Sequence, residues 1–375
     1  AGQLLSTVEA LFPEDPEASW RTALTALQED NPGLPFDRVR PVLDDELGAT
    51  WHSRFRQFEE RAVAAASIGQ VHRAVWSDGR AVAVKIQYPG AREALLGDVR
   101  TLALSLRLTT LIARGLALPP LVAELRTRLA EETDYGREAA HQRAFATEYA
   151  ADADAVVPAV VEATPRVLVT EWLDGVPLAT VAMEGTQPDR DLLGTRYQRF
   201  LLSGPERVGL LHTDPHPGNF RLLEDGRLGV MDFGSVLVLP GGMPRTFGRL
   251  MTVMLSRDPE EILLGLQDEG FVRLGARLET DKLADYLAPF SEPARHEVFS
   301  YSRAWLRSQF ARINDPRNPE FAVALQLNLP AEHLFTHRVW LGIVGVLSQL
   351  EATVPVRAEL LRWLPGFDPE ASPRR

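Results

Sequence analysis

Apolar positions along this chain change their spacing four times. Residues 1–12 repeat Leu4, Leu5, Val8, Leu11 and Phe12 on one helical face, and Pro13 ends the run. Asp15-Pro16 reads as a second helix start, Asp as cap and Pro in the first position, and Trp20, Leu24 and Leu27 form its stripe until Asn31-Pro32-Gly33. Asp37 is the candidate cap of a third helix that Gly48 closes. Strand character begins near Arg61: Gln70 to Trp76 and Ala81 to Gln87 flank Asp78-Gly79, a hairpin signal. Residues 91–150 return to helical spacing, divided at Pro119-Pro120. Val167 to Trp172 is again β-rich, and Leu173-Asp174-Gly175 follows as a connector. Beyond Gly175 the spacing is mainly helical, with Leu192 to Leu202 one candidate helix. The apolar run Val339 to Leu350 falls short of the ~20 residues that span a bilayer and fits a buried core helix.

This succession predicts an α+β architecture in three parts: a helical N-terminal extension over 1–60, a strand-bearing region with a helical insertion over 61–172, and a mainly helical region over 173–375. The apolar stripes of the extension are expected to dock on the main body. The opening at Ala1 without Met, inside a helical pattern, predicts further residues upstream. A net charge of −11 argues against nucleic acid as a partner, which needs a basic surface, and against simple electrostatic attraction to anionic lipid. The absence of cysteine excludes disulfides, zinc–thiolate sites and thiol catalysis. Positive charge is written almost wholly as arginine. Lys85 and Lys282 are the only lysines, so the Lys in Val82-Ala83-Val84-Lys85 points to a site that needs a compact ammonium.

The densest chemistry lies between Leu211 and Ser235. Asp214 and Asn219 stand five apart with Pro215, Pro217 and Gly218 between them, residues that keep the chain out of helix and strand. Asp225-Gly226 then reads as a hairpin turn, and the second arm ends in Asp232-Phe233-Gly234. Asp-x4-Asn, a hairpin and Asp-Phe-Gly in this order resemble the catalytic loop and metal-binding aspartate of protein kinases. Val82 to Lys85 resembles the kinase strand whose Lys contacts nucleotide phosphates. Backbone groups from Glu171 to Leu173 then suit the adenine edge. Where such a kinase carries a glycine-rich loop, this chain has Ala64-Ala65-Ala66-Ser67-Ile68-Gly69, whose methyl groups restrict the backbone. A carboxylate is needed to orient Lys85. On an unbroken helix Asp134 and Glu138 share a face and Glu132 points elsewhere, so periodicity leaves that partner open. No Ala-Pro-Glu follows Gly234.

Ala64 to His72, Val82 to Lys85, Glu132-x-Asp134-Tyr135-x-x-Glu138 and His212 to Asn219 together are similar to the UbiB (AarF-type) atypical kinases, over residues 2 to about 275. The resemblance implies a bilobal protein-kinase-like fold and binding of ATP and Mg²⁺. It implies contact of Lys85 with phosphate, pairing of Glu138 with Lys85, Asp214 as catalytic aspartate, and Asn219 and Asp232 as metal ligands. Gly2 and Gln3 match the end of the family's Lys-x-Gly-Gln motif, and Glu132 and Asp134 its Glu-x-Asp acids, all tied to regulation. It further implies support of isoprenoid-quinone or lipid metabolism through a lipid or quinone-pathway acceptor, in the cytoplasm with peripheral contact at the inner membrane face. Two rival classes are a small-molecule phosphotransferase of the aminoglycoside-kinase type and a nucleotide-binding scaffold without turnover.

The alanine segment generates a test. Ala65→Gly is expected to shift ATP affinity relative to ADP at a stability cost of about 0.4–1 kcal/mol. Paired dissociation constants and melting temperatures check it; unchanged nucleotide constants beside a lower melting temperature would reduce the alanines to a packing role.

Overall fold

The structure is a computed structural model and describes residues 33–66, 68–94, 97, 133–256, 258–272, 278–315, 317–318, 323 and 326–370. The expectations for residues 1–32, Gly2 and Gln3 among them, and for Ser67 and Glu132 lie outside these residues.

The N-terminal lobe is built on one sheet. Strands β1 (Phe55–Phe58), β3 (Gly69–Trp76), β4 (Ala81–Gln87), β7 (Val167–Glu171) and β6 (Val160–Ala163) run side by side in that order, and β2 (Ala64–Ala66) pairs with β3. Every pairing is antiparallel. Period-two alternation gives the sheet two different faces. Val82, Val84, Ile86, Val167 and Val169 are buried on one face against Val39, Val42, Leu43 and Leu47 of helix Phe36–Leu47. Ala83 and Lys85 occupy the other face of β4. Gly79, in the left-handed region at φ 100°, makes the β3–β4 turn. Helix Tyr135–Glu148 packs on β6 and β7.

The second lobe centres on helix Gln187–Val208, which a Thr186–Asp189 capping box starts and Gly209 ends in the left-handed conformation. Its core joins Phe200, Leu201, Phe220, Val230 and Phe233 to Val339, Ile343, Val346 and Leu347 of helix Leu334–Leu350. That helix is the buried core helix expected from the apolar run. Among the described residues no helix is long and apolar enough to cross a membrane. Strand β5 (Ala155–Val156) pairs with β11 (Leu228–Val230), which pairs with β10 (Phe220–Leu222), which in turn pairs with β8 (Val176–Pro177). Strand β9 (Leu210–His212) pairs with β12 (Val236–Val238), holding the two ends of the Asp214-to-Asp232 stretch together.

Four local expectations change. The first strand is Phe55–Phe58, inside the stretch read as helical extension. Its two aromatics pack against Trp51 and Phe36, while Arg56 and Gln57 are exposed, and four residues are too few to display a period. Asp37 is not a cap: Pro35 holds that position and Asp37 sits in the first turn. Asp134 does not share a helical face with Glu138; it precedes the helix and caps it by accepting from the Gly136 N–H. Ala64–Ala66 is a strand rather than an open loop, with Ala66 opposite Gly69.

A buried polar chain ties residue 34 to this hairpin. Gln70 accepts from the Leu34 N–H at 2.7 Å and donates to the Leu34 carbonyl at 3.2 Å. The His72 Nδ1–H donates to the Glu59 carbonyl at 2.8 Å, leaving Nε2 to accept from the Gln70 amide at 2.9 Å. Burial holds His72 below the ordinary histidine range, against the Glu59 bond, and burial does the same to His212 and His337. A depressed histidine contributes stability that is present above about pH 6.5 and is lost as pH falls through its folded-state value. The histidine contribution to the melting temperature is therefore expected to fall between pH 7.5 and 5.5, with the raised Glu138 acting in the opposite sense. His72→Gln should flatten that slope, one histidine being worth at most about 1.4 kcal/mol per pH unit. An identical slope in the variant would refute the assignment.

Candidate active site

Three positions far apart in sequence, on a strand, a helix and a loop, meet where the two lobes join. Lys85, on the open face of β4, donates from Nζ to Glu138 Oε1 at 2.8 Å and Oε2 at 2.9 Å, and to Asp232 Oδ2 at 3.1 Å. Glu138 comes from the first turn of helix Tyr135–Glu148, and Asp232 follows β11. The Lys85 ammonium also lies 5.0 Å from the centre of the Tyr135 ring. Burial works against charge on Lys85, but the Asp232 and Glu138 carboxylates outweigh it and hold the ammonium well above the lysine range. Burial pushes Glu138 up to about 7 against the pull of Lys85. Asp232 is also penalised by burial, yet Lys85 and the Gly234 N–H bring it below the usual carboxylate range. Asp232 is thus the firmly ionised carboxylate of the pair. Its side chain is 35% exposed, against 4% for Glu138, so Asp232 is the more accessible of the two carboxylates.

Asp232 is braced from behind. The buried His212 donates from Nε2 to the Asp232 carbonyl at 2.6 Å, and Phe233 is fully buried against Phe145 and His212. Glycine at 234 leaves room for both carboxylates, since a Cβ there would lie 3.2 Å from Asp232 Oδ1 and 3.5 Å from Glu138 Oε2.

The Asp214 loop is held from four sides. Asn219 donates from Nδ2 to Asp214 Oδ2 at 2.8 Å, which leaves its Oδ1 as an acceptor. Arg338 donates to Asp214 Oδ1 at 3.3 Å. The Tyr197 hydroxyl donates to the Pro215 carbonyl at 2.7 Å. The Pro215 ring lies on Gly342, so closely that a Cβ there would overlap Pro215 Cγ. Arg338 and Gly342 are one turn apart on helix Leu334–Leu350, so a single face of that helix meets both Asp214 and Pro215. Neither residue carries a sequence signal: an Arg and one of two Gly residues in an apolar helix read as a solvated charge and a weak helix former.

The donor set suits a hard divalent cation. Asp232 supplies carboxylate oxygen and Asn219 an amide oxygen, and Mg²⁺ characteristically takes one or two such protein ligands beside phosphate and water. Among the described residues no group of three or more His, Cys, Asp or Glu forms an all-protein metal site. The connector is narrower in its offerings than the sequence suggests. The Glu171 N–H donates to the Ala159 carbonyl, its carboxylate accepts from Arg80 at 3.0 Å, and the Trp172 N–H donates to the Ala81 carbonyl. The Glu171 side chain is therefore turned away from the cleft, whereas the Leu173 side chain lies over Gly229.

Gly342→Ala tests the support from behind. Alanine gains about 1 kcal/mol of helix propensity over glycine, so a net loss reports the contact with Pro215. Overpacking of about 1–3 kcal/mol is expected to lower the melting temperature and to displace Asp214. A raised melting temperature would show that the helix and loop separate at no cost.

The comparisons agree with this geometry. The ABC1 atypical kinase-like domain matches residues 26–264. A chloroplastic Arabidopsis thaliana protein, ACTIVITY OF BC1 COMPLEX KINASE 1, is 34% identical over 64% of this chain and 36% of its own length. The mitochondrial atypical kinase COQ8 of Saccharomyces cerevisiae is 29% identical over 94% of this chain and 70% of its own. The chain spans less than two thirds of the length of several curated relatives it matches. Among solved structures, the complex of Rv3197 with erythromycin from Mycobacterium tuberculosis superposes with a TM-score of 0.80 at 40% identity, covering 99% of this chain and 92% of that one. Fold, motif order and kinship converge: the chain belongs to the ABC1 atypical kinase-like family and has its kinase-like fold.

Proposed function

We propose that this chain binds Mg²⁺-ATP between its lobes and works as a phosphotransferase or ATPase of the UbiB kind. The single observation that carries the reading is the three-way contact of Lys85 with Glu138 and Asp232, residues 53 and 147 positions away in sequence. Lys85 supplies fixed positive charge for phosphate oxygens, and Glu138 aims it. Asp232 and Asn219 Oδ1 hold the cation. Bound ATP supplies the phosphoryl group, and Mg²⁺ neutralises charge on its oxygens.

Asp214 accepts the proton of the attacking hydroxyl or water as that oxygen bonds to the terminal phosphorus and the bond to the bridging oxygen breaks, releasing ADP. Asn219 and Arg338 fix its carboxylate for that step. Leu173 and the Glu171 carbonyl take the adenine edge, and Ala64, Ala65 and Ala66 form the roof over the phosphates. Asp134 serves this site indirectly, by starting the helix that presents Glu138. The names of the COQ8 relatives support an isoprenoid-quinone or lipid setting. A second ligand class, a macrolide, is favoured by the erythromycin complex of the M. tuberculosis protein.

Thermal shift tests the first reading. At a hundred times the dissociation constant, Mg²⁺-ATP should stabilise the chain by about 2.7 kcal/mol, and Asp232→Asn should abolish most of the shift. No shift at millimolar Mg²⁺-ATP would sink the proposal, and erythromycin in place of nucleotide tests the second.

A further inference from the structure

Every N–H of the Lys85 ammonium is already spent. Lysine carries three donors, and here two go to the Glu138 oxygens and the third to Asp232. Lys85 can meet a phosphate oxygen only by releasing one of these bonds, and Asp232 is the partner that would turn to the cation. The remaining neighbour uses no N–H. Tyr135, three residues before Glu138 on the same helix, presents its ring to Lys85, with Nζ 5.0 Å from the ring centre. The attraction of a cation to an aromatic face is electrostatic, needs no donor and strengthens when the pair is out of water. Tyr135 is 1% exposed, and burial raises its hydroxyl well above the ordinary phenol range, so the ring stays neutral.

The ring is wedged between the helix, the sheet and the alanine segment. Ala139 and Leu168 are buried with it, and Ile68 packs against them. Leu168 is the β7 partner of Lys85 across the ladder, so the ring and the ammonium share one face of the sheet. The hydroxyl end reaches the start of β3, where a Cβ on Gly69 would lie 2.8 Å from it. Among the described residues that hydroxyl has no hydrogen-bond partner, although buried hydroxyls are normally paired. What the side chain offers its surroundings is therefore the ring.

We infer that Tyr135 is a positioning residue for Lys85, its ring face holding the ammonium in place while one N–H passes from Asp232 to a phosphate oxygen. The inference deepens the Mg²⁺-ATP reading and rests on it. With the face removed, the ammonium leans on its two carboxylates alone. Asp232 is then gripped more tightly in the resting cluster and is costlier to release.

The scarcity of lysine makes the test direct. Lys85 and Lys282 are the only lysines, so the full chain labelled at lysine gives two side-chain signals by NMR. The ε-methylene protons of Lys85 are expected to be displaced upfield by the ring current and to stay displaced when Mg²⁺-ATP is added. Tyr135→Phe keeps the face; it should keep the displacement and bind Mg²⁺-ATP within about 2-fold of the native chain. Tyr135→Leu keeps apolar bulk without a face; it should lose the displacement and weaken Mg²⁺-ATP about 3- to 30-fold. A Lys85 signal that loses its displacement on binding would make the ring a partner of the resting chain only. Native affinity in Tyr135→Leu would make Tyr135 a packing residue, and a Tyr135→Phe as weak as Tyr135→Leu would place the effect in the hydroxyl; each overturns the inference and leaves nucleotide binding standing. Should Tyr135→Leu fail to fold, the native signal and the Tyr135→Phe variant decide by themselves. A native chain that binds no Mg²⁺-ATP refutes the parent reading and this one together.

Discussion

The buried ammonium of Lys85 is the constraint on which the cleft depends. It draws one carboxylate from a helix of the first lobe and one from a loop of the second, and its charge opposes the burial penalty that both carry. Removing one partner of such a buried cluster typically costs about 3–5 kcal/mol, because the remaining charge is stranded. The cluster therefore orders more than a ligand site. It fixes the helix that Asp134 caps, and through Asp232 it fixes the loop that His212 and Phe233 brace. A lone lysine point charge accommodates two carboxylates and a ring face at once, which a planar guanidinium does less readily. That is a physical reason for lysine at 85 in a chain that otherwise uses arginine.

The second lobe shows a division of labour between the candidate site residues and those that hold them. Asp214 and Asn219 lie in a short loop with little regular structure of its own. Its stiffness comes from outside: Tyr197 on one long helix, Arg338 and Gly342 on another, and the β9–β12 pairing at its base. Helix Leu334–Leu350 lies beyond the residues matched by the family domain, yet it contacts the central aspartate directly. Preorganisation of this sort is what electrostatic stabilisation of a transition state requires, since the supporting groups then need not rearrange during the reaction.

Much of the molecule was legible in one dimension because some signals are local. Asp78-Gly79 and Asp225-Gly226 are hairpin turns by their own backbone chemistry, and both glycines adopt the positive φ such turns need. The apolar run from Val339 to Leu350 had to be buried somewhere. Lys85, Asp214, Asn219 and Asp232 stood out by residue type, order and spacing, which survive without a fold. Tertiary structure decided what depends on direction and on partners distant in sequence. Glu138 and Asp134 sit four apart, a separation that a helix would turn into one shared face; the helix instead starts between them and gives one an ion pair and the other a cap. Ala64 to Ala66 became strand because β3 offers them a ladder. Arg338 reaches Asp214 across 124 positions, and Gly342 admits Pro215, contacts that exist only once two elements pack. Sequence thus determined which groups are candidates for the chemistry, since side-chain type is a local property; packing determined which of them face one another, since that is set by the sum of contacts over the whole chain.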